Sequence, residues 1–127
     1  MCCFFGANNC FVSRRIYRCA ALVDLIERDR VLGHPFVLAE IACRTPPAPR
    51  EQTLGDMALL GQAHLASGTE VMAFIEREKL YGLGCGFVDI ALLASACITP
   101  DATLWTLDKK LFDLATRFGV QFAQPMC

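Results

Sequence analysis

No acidic side chain precedes Asp24 in this sequence of 127 residues, so any carboxylate chemistry belongs to the chain from Asp24 onward. Long apolar runs are missing too. The longest candidate, Phe87 to Ile98, falls short of the roughly 18 residues that cross a bilayer and is interrupted by Asp89, which argues against a membrane span. The first apolar residues come before Arg14, Arg15 and Arg18, the reverse of the basic-then-apolar order of a secretory signal, and a cytoplasmic protein is the expectation. Net charge is almost nil, with 12 basic against 13 acidic side chains. That excludes a strongly basic nucleic-acid binder but leaves room for a local basic patch. C-x-x-C pairs are absent, and neither His34 nor His64 stands at zinc-finger spacing from a cysteine. The eight cysteines therefore read as reduced thiols, although Cys2, Cys3, Cys10 and Cys19 crowd the first 19 residues. A metal or redox protein centred on those four is the alternative, and their spacing argues against it.

What is present in quantity is apolar side chain, 54% of residues, enough for a single domain to bury a core without disulfide staples. Residues 3–12 permit one strand, with Gly6 its weak point. Residues 17–28 are helical in pattern, and 30–33 read as a short strand. His34-Pro35 opens a helix with proline at its favoured first position; Phe36, Val37 and Ile41 form its apolar face, and it carries Glu40. After a proline-stiffened connector at 45–49, residues 52–61 predict another helix. Ser67-Gly68-Thr69-Glu70 has the capping-box spacing that starts a helix over about 69–79. Gly82, Gly84 and Gly86 then lead into a helix over 88–97. Residues 103–106 form a strand rich in β-formers. Leu111, Leu114, Ala115 and Phe118 mark a helix closed by Gly119, and 120–122 is a last short strand. Strands alternating with helices imply a parallel sheet covered on both faces. Ligands bind such sheets beyond the carboxyl ends of the strands, where the loops entering the helices at Pro35, Val88 and Lys109 should converge.

Three carboxylates stand out. Asp89 interrupts a helix that is apolar on every other face, and burying an unpaired carboxylate costs several kcal/mol unless a partner or a metal ion satisfies it. Its plainer reading is a first-turn charge favoured by the helix macrodipole. Asp108 directly follows the strand at 103–106 and reads on its own as a helix N-cap. Glu40 reads on its own as the polar edge of an amphipathic helix. Taken together, each falls in the first turn or so of a helix on the expected ligand-binding edge, which makes the three a candidate site.

The residues around these acids resemble a known family. Val37-Leu38-Ala39-Glu40-Ile41, then Tyr81-Gly82-Leu83-Gly84-Cys85-Gly86-Phe87-Val88-Asp89-Ile90-Ala91-Leu92-Leu93-Ala94, then Leu104-Trp105-Thr106-Leu107-Asp108-Lys109-Lys110-Leu111 are similar to the successive acidic motifs of PIN-domain ribonucleases, specifically VapC-type toxins. The resemblance runs from about Ala20 to Phe122. Its specific part is G-x-G-x-x-D-x-x-L-L-A followed by L-W-T-x-D-K-x-L; the Glu40 motif alone is weak. It implies a three-layer α/β/α PIN-like domain with a central parallel sheet, endonucleolytic cleavage of RNA, a homodimer and inhibition by a cognate antitoxin protein. It also implies Mg²⁺ or Mn²⁺ held by clustered carboxylates, with Asp89 and Glu40 as core ligands and Asp108 completing the catalytic pocket. Thr106 would orient Asp108, and Lys109, Lys110 and Arg44 would meet RNA phosphates. The chemistry is coherent: Mg²⁺ takes one or two carboxylates plus waters, and crowded carboxylates repel one another until a cation joins them.

The family carries a further acid at the end of its opening strand, in a motif such as V-D-A-N. Gly6-Ala7-Asn8 offers glycine in its place, and Asp24 lies on the following helix. Loss of that ligand should weaken metal binding and activity, and the first strand should be poorly formed. Two accounts stay open for residues 1–19, a degenerate toxin or a shifted reading frame. Two functions stay open with them, an impaired metal-dependent endoribonuclease and a non-catalytic PIN-like module that binds an antitoxin or RNA.

Overall fold

The computed structural model describes the backbone of residues 2–5, and residues 27–43, 45, 48–106 and 108–122. All but the end of the helix expected over 17–28 lies outside these, as do Gly6, Asn8, Cys10, Cys19, Asp24 and Arg44.

Burial organises the chain around one helix, α4 (Phe87–Ile98), on which every residue from Asp89 to Ala96 is withdrawn from solvent. A helix apolar all round has no face to give to water and must be enclosed. Leu92 and Leu93 are fully covered, and α4 packs against α3 (Gly68–Glu78), β4 (Ala102–Trp105) and α5 (Lys109–Arg117). The capping box expected at the start of α3 is complete: Glu70 N–H donates to Ser67 Oγ at 3.1 Å, and Ser67 N–H donates to Glu70 Oε1 at 3.2 Å.

The strands pair in parallel, as the alternation of elements implies. β1 (Cys2–Phe5) pairs with β4, placing Cys2 opposite Ala102 and Phe5 opposite Trp105. β2 (Leu32–Gly33) pairs with β3 (Gly61–Gln62), and β1 also packs beside β2. Leu104, Trp105 and Ala102 of β4 are buried, the pattern of a strand covered on both faces.

Several expectations need correction. Of the opening strand expected over 3–12, the backbone of Cys2–Phe5 is described and lies in register with β4; residues 6–12 lie outside the described residues. β3 was not foreseen, because residues 52–61 read as a helix interrupted by Gly55. That helix, α2, spans Arg50–Ala58 and ends before Gly61. Instead of a strand, residues 120–122 make a single bridge: Leu104 N–H donates to Val120 O, Phe122 N–H donates to Leu104 O, and the Phe122 ring stacks on Trp105 at 5.0 Å. On α1 (Pro35–Ala42), Val37 and Ile41 enter the core, but Phe36 does not; it is 38% exposed.

Candidate active site

Asp89 is delivered by a glycine-rich loop whose backbone only glycine adopts freely. Gly82 and Gly84 take φ of +71° and +83°, conformations that side chains with a Cβ resist. Gly84 is also overlain by Lys110: a Cβ at Gly84 would stand 2.7 Å from the lysine Nζ and 2.9 Å from its Cδ. Gly86 caps α4 without a side chain, so Asp89 falls in the first turn, 7% exposed. The unsatisfied N–H groups and positive dipole end of the helix favour a carboxylate there.

Asp108 is the N-cap of α5. Its Oδ1 accepts the N–H groups of Lys110 at 2.9 Å and Leu111 at 3.2 Å, so the plain capping reading is realised. Thr106, buried, accepts the Asp108 N–H on its Oγ1 at 3.0 Å. That bond fixes the backbone from which the Asp108 carboxylate projects.

Asp89 and Asp108 meet electrostatically at Cys85. Burial first, then the negative fields of Asp89 and Asp108, push the Cys85 thiol up from its ordinary range, and Lys110 opposes them. One loop residue thus senses both acids and the cation. The helix starts converge as well. The rings of Phe36 on α1 and Phe87 on α4 are 6.2 Å apart, while Lys110 of α5 crosses the loop that enters α4.

Other expected site residues are placed differently. Glu40 lies in the second half of α1, half-buried, and not in a first turn. The helix starts where expected, with His34 as cap and Pro35 as first residue, so Glu40 is its sixth residue and falls past the first turn. Among the described residues, no three His, Cys, Asp or Glu side chains gather closely enough to hold a metal ion. Lys109 points into solvent and pairs with Asp113 one turn on, at 3.1 Å. Cys43, Cys85 and Cys97 are free thiols.

Two groups near the site escaped the reading of the sequence. The exposed Phe36 and Phe87 look like core residues in a one-dimensional pattern. His34 looks like a mere helix start, yet its Nδ1 accepts the Phe36 N–H at 3.1 Å and its Nε2 lies 3.1 Å from Ser95 Oγ. Ser95 Oγ in turn accepts the Ala66 N–H at 3.2 Å. The adjacency of histidine and proline at a helix start was the available signal.

No protein-family model and no solved structure matches the chain. Two curated proteins do. Ribonuclease VapC32 of Mycobacterium tuberculosis, from strain CDC 1551 / Oshkosh and from strain ATCC 25618 / H37Rv, is in each case 35% identical over 105 residues, covering 83% of this chain and 84% of the relative.

The chain belongs to the VapC ribonuclease family.

Its α/β architecture with parallel strands is accordingly that of a PIN-like domain. As a VapC chain it can be tested for fit to a divalent cation. Asp89 and Asp108 supply oxygen donors, the type hard cations take, and two carboxylates are within the number that Mg²⁺ uses when it keeps several waters. The donor set therefore fits such an ion through these two residues. No helix among the described residues is long and apolar enough to cross a membrane.

Proposed function

We propose that this VapC-family chain is a metal-dependent endoribonuclease that cleaves RNA phosphodiesters, impaired by lack of an acid in its opening strand and controlled by a cognate antitoxin protein. The observation that carries the reading is Asp89, a carboxylate buried in the first turn of α4 behind the glycine-rich loop, in a chain 35% identical to Ribonuclease VapC32 over 105 residues. Asp89 and Asp108 would hold Mg²⁺ or Mn²⁺, with Glu40 as the third acid assigned to the site. When bound, the cation supplies the Lewis acidity and the activated water that phosphodiester cleavage needs in place of a Ser, Cys or His nucleophile. Thr106 positions Asp108. Lys110, held across Gly84, supplies positive charge beside the acids for an RNA phosphate. Lys109 and Arg44 are assigned the same role.

Cleavage of single-stranded RNA by purified protein, with and without Mn²⁺, tests this. Outer partners of metal ligands typically cost about 10- to 100-fold when removed, so Asp89→Asn should lose at least about 100-fold in rate while its far-UV circular dichroism stays unchanged. Equal cleavage by D89N and the parent chain overturns the assignment. Gly6→Asp should raise the rate if the missing acid is the cause of impairment.

A second reading has its own support. No acid precedes Asp24, and no three ligating side chains gather among the described residues. On that reading the domain binds its antitoxin or RNA and cuts nothing. Tight antitoxin binding with no cleavage at high metal, in both the parent chain and G6D, would favour it.

A further inference from the structure

The apolar residues that remain outside the core are not all scattered. Phe36 and Phe87 are 38% and 47% exposed, and they lie beside each other with ring centroids 6.2 Å apart and planes inclined by 48°. Each is near the start of its helix, α1 or α4, and Phe87 precedes Asp89 by only two residues. The His34 ring backs Phe36 from the core side at 5.2 Å, and His34 is itself held by the Phe36 N–H and Ser95. The pair forms an exposed aromatic ledge with His34 behind Phe36. Rings set at such an angle cannot sandwich a planar group between them, but each offers an outer face.

Position identifies what that face takes. Phe87 stands two residues before Asp89, and Lys110, across Gly84, brings one ammonium to the loop that also lies under the influence of Asp89 and Asp108. A flat apolar face next to the acids proposed to cut RNA suits an unpaired nucleotide, whose base stacks while its phosphate lies toward the site. Tyr81 and Leu83, exposed in the same loop, add apolar surface around it. We propose that Phe87, with Phe36 as its side wall, is a stacking platform for an unpaired base of the RNA, seating the strand beside Asp89. This rests on the ribonuclease reading above and adds to it the residues that engage a base.

Fluorescence anisotropy of a labelled single-stranded RNA of random sequence, measured in Ca²⁺, reads binding apart from cutting. Loss of one base–aromatic stack should weaken binding by about 5- to 150-fold, so Phe87→Ala should fall in that range. Phe87→Trp should bind as well as the parent, whereas Phe87→Leu, apolar but not flat, should bind like the alanine variant. Thermal melts within a few degrees of the parent show that all three are folded. Parent-like binding by F87L overturns the platform while leaving the ribonuclease reading intact. If the parent chain neither binds nor cuts RNA, both fall. If F87A binds RNA normally but loses its cognate antitoxin, the ledge is a protein contact and the proposal is overturned.

Discussion

Asp108 carries two jobs that can be separated at a single position. As a cap it accepts the N–H groups of Lys110 and Leu111; as a ligand it would offer a carboxylate to a cation. Serine keeps the first role and not the second. Asp108→Ser should therefore hold its stability within a few tenths of a kcal/mol while RNA cleavage collapses. Asp108→Ala should lose both, with about 1 kcal/mol of stability gone, a typical value for a lost cap. Urea denaturation and a cleavage assay on the same preparations check the pair. Equal cleavage by D108S and the parent would reduce Asp108 to a structural residue.

At the level of elements, the start of α1 is tied to the middle of α4 through His34. The Phe36 N–H donates to Nδ1, so Nδ1 carries no proton and Nε2–H donates to Ser95 Oγ. Protonating the ring would put a hydrogen where the helix cap needs a lone pair. Burial acts in the same direction, lowering the His34 pKa from its ordinary 6.5. Above about pH 6.5 the ring is neutral in both folded and unfolded chains, and His34 introduces no pH dependence. Below that, the unfolded chain takes up the proton first, and stability falls with a slope of up to about 1.4 kcal/mol per pH unit until the folded pKa is reached. Thermal unfolding midpoints between pH 7.5 and 5.5 should drop more steeply for the parent than for His34→Asn, which retains a capping side chain and cannot titrate. Parallel curves would show that the ring's neutrality is not what holds the two helices together.

For the whole molecule, the proposed metal links site chemistry to folding. Asp89 and Asp108 both bear on the Cys85 thiol, in a fold that withdraws Asp89 from water, and a bound cation would offset their negative charge. An ion that binds only the folded chain stabilises it by about 2.7 kcal/mol at a hundredfold excess over its dissociation constant. Calorimetry in rising Mg²⁺ or Mn²⁺ should thus raise the melting temperature by several degrees, and EDTA should reverse the gain. Asp89→Asn should abolish the response. An unchanged melting temperature in millimolar Mn²⁺ would count against a functional metal site and for the non-catalytic reading.

Local features were legible in the sequence because contiguous residues encode them. The capping box at Ser67 and Glu70, the proline start of α1, the apolar run of α4 and the alternate glycines before it each arise from propensity, capping or backbone sterics within a few positions. The motifs around Asp89 and Asp108 were enough to point to the family. What the sequence could not decide depends on segments far apart in the chain. Phe36 and Phe87 are 51 positions apart by their numbering, and they meet only in the folded chain, with rings 6.2 Å apart; a hydropathy pattern cannot tell such an exposed pair from core. The same holds for Lys110 across Gly84. Sequence determined most of the elements and pointed to the candidate acids, since those depend on local backbone and side-chain chemistry. Tertiary structure decided which of them face one another, since burial of the α4 core brings together residues that no local rule connects.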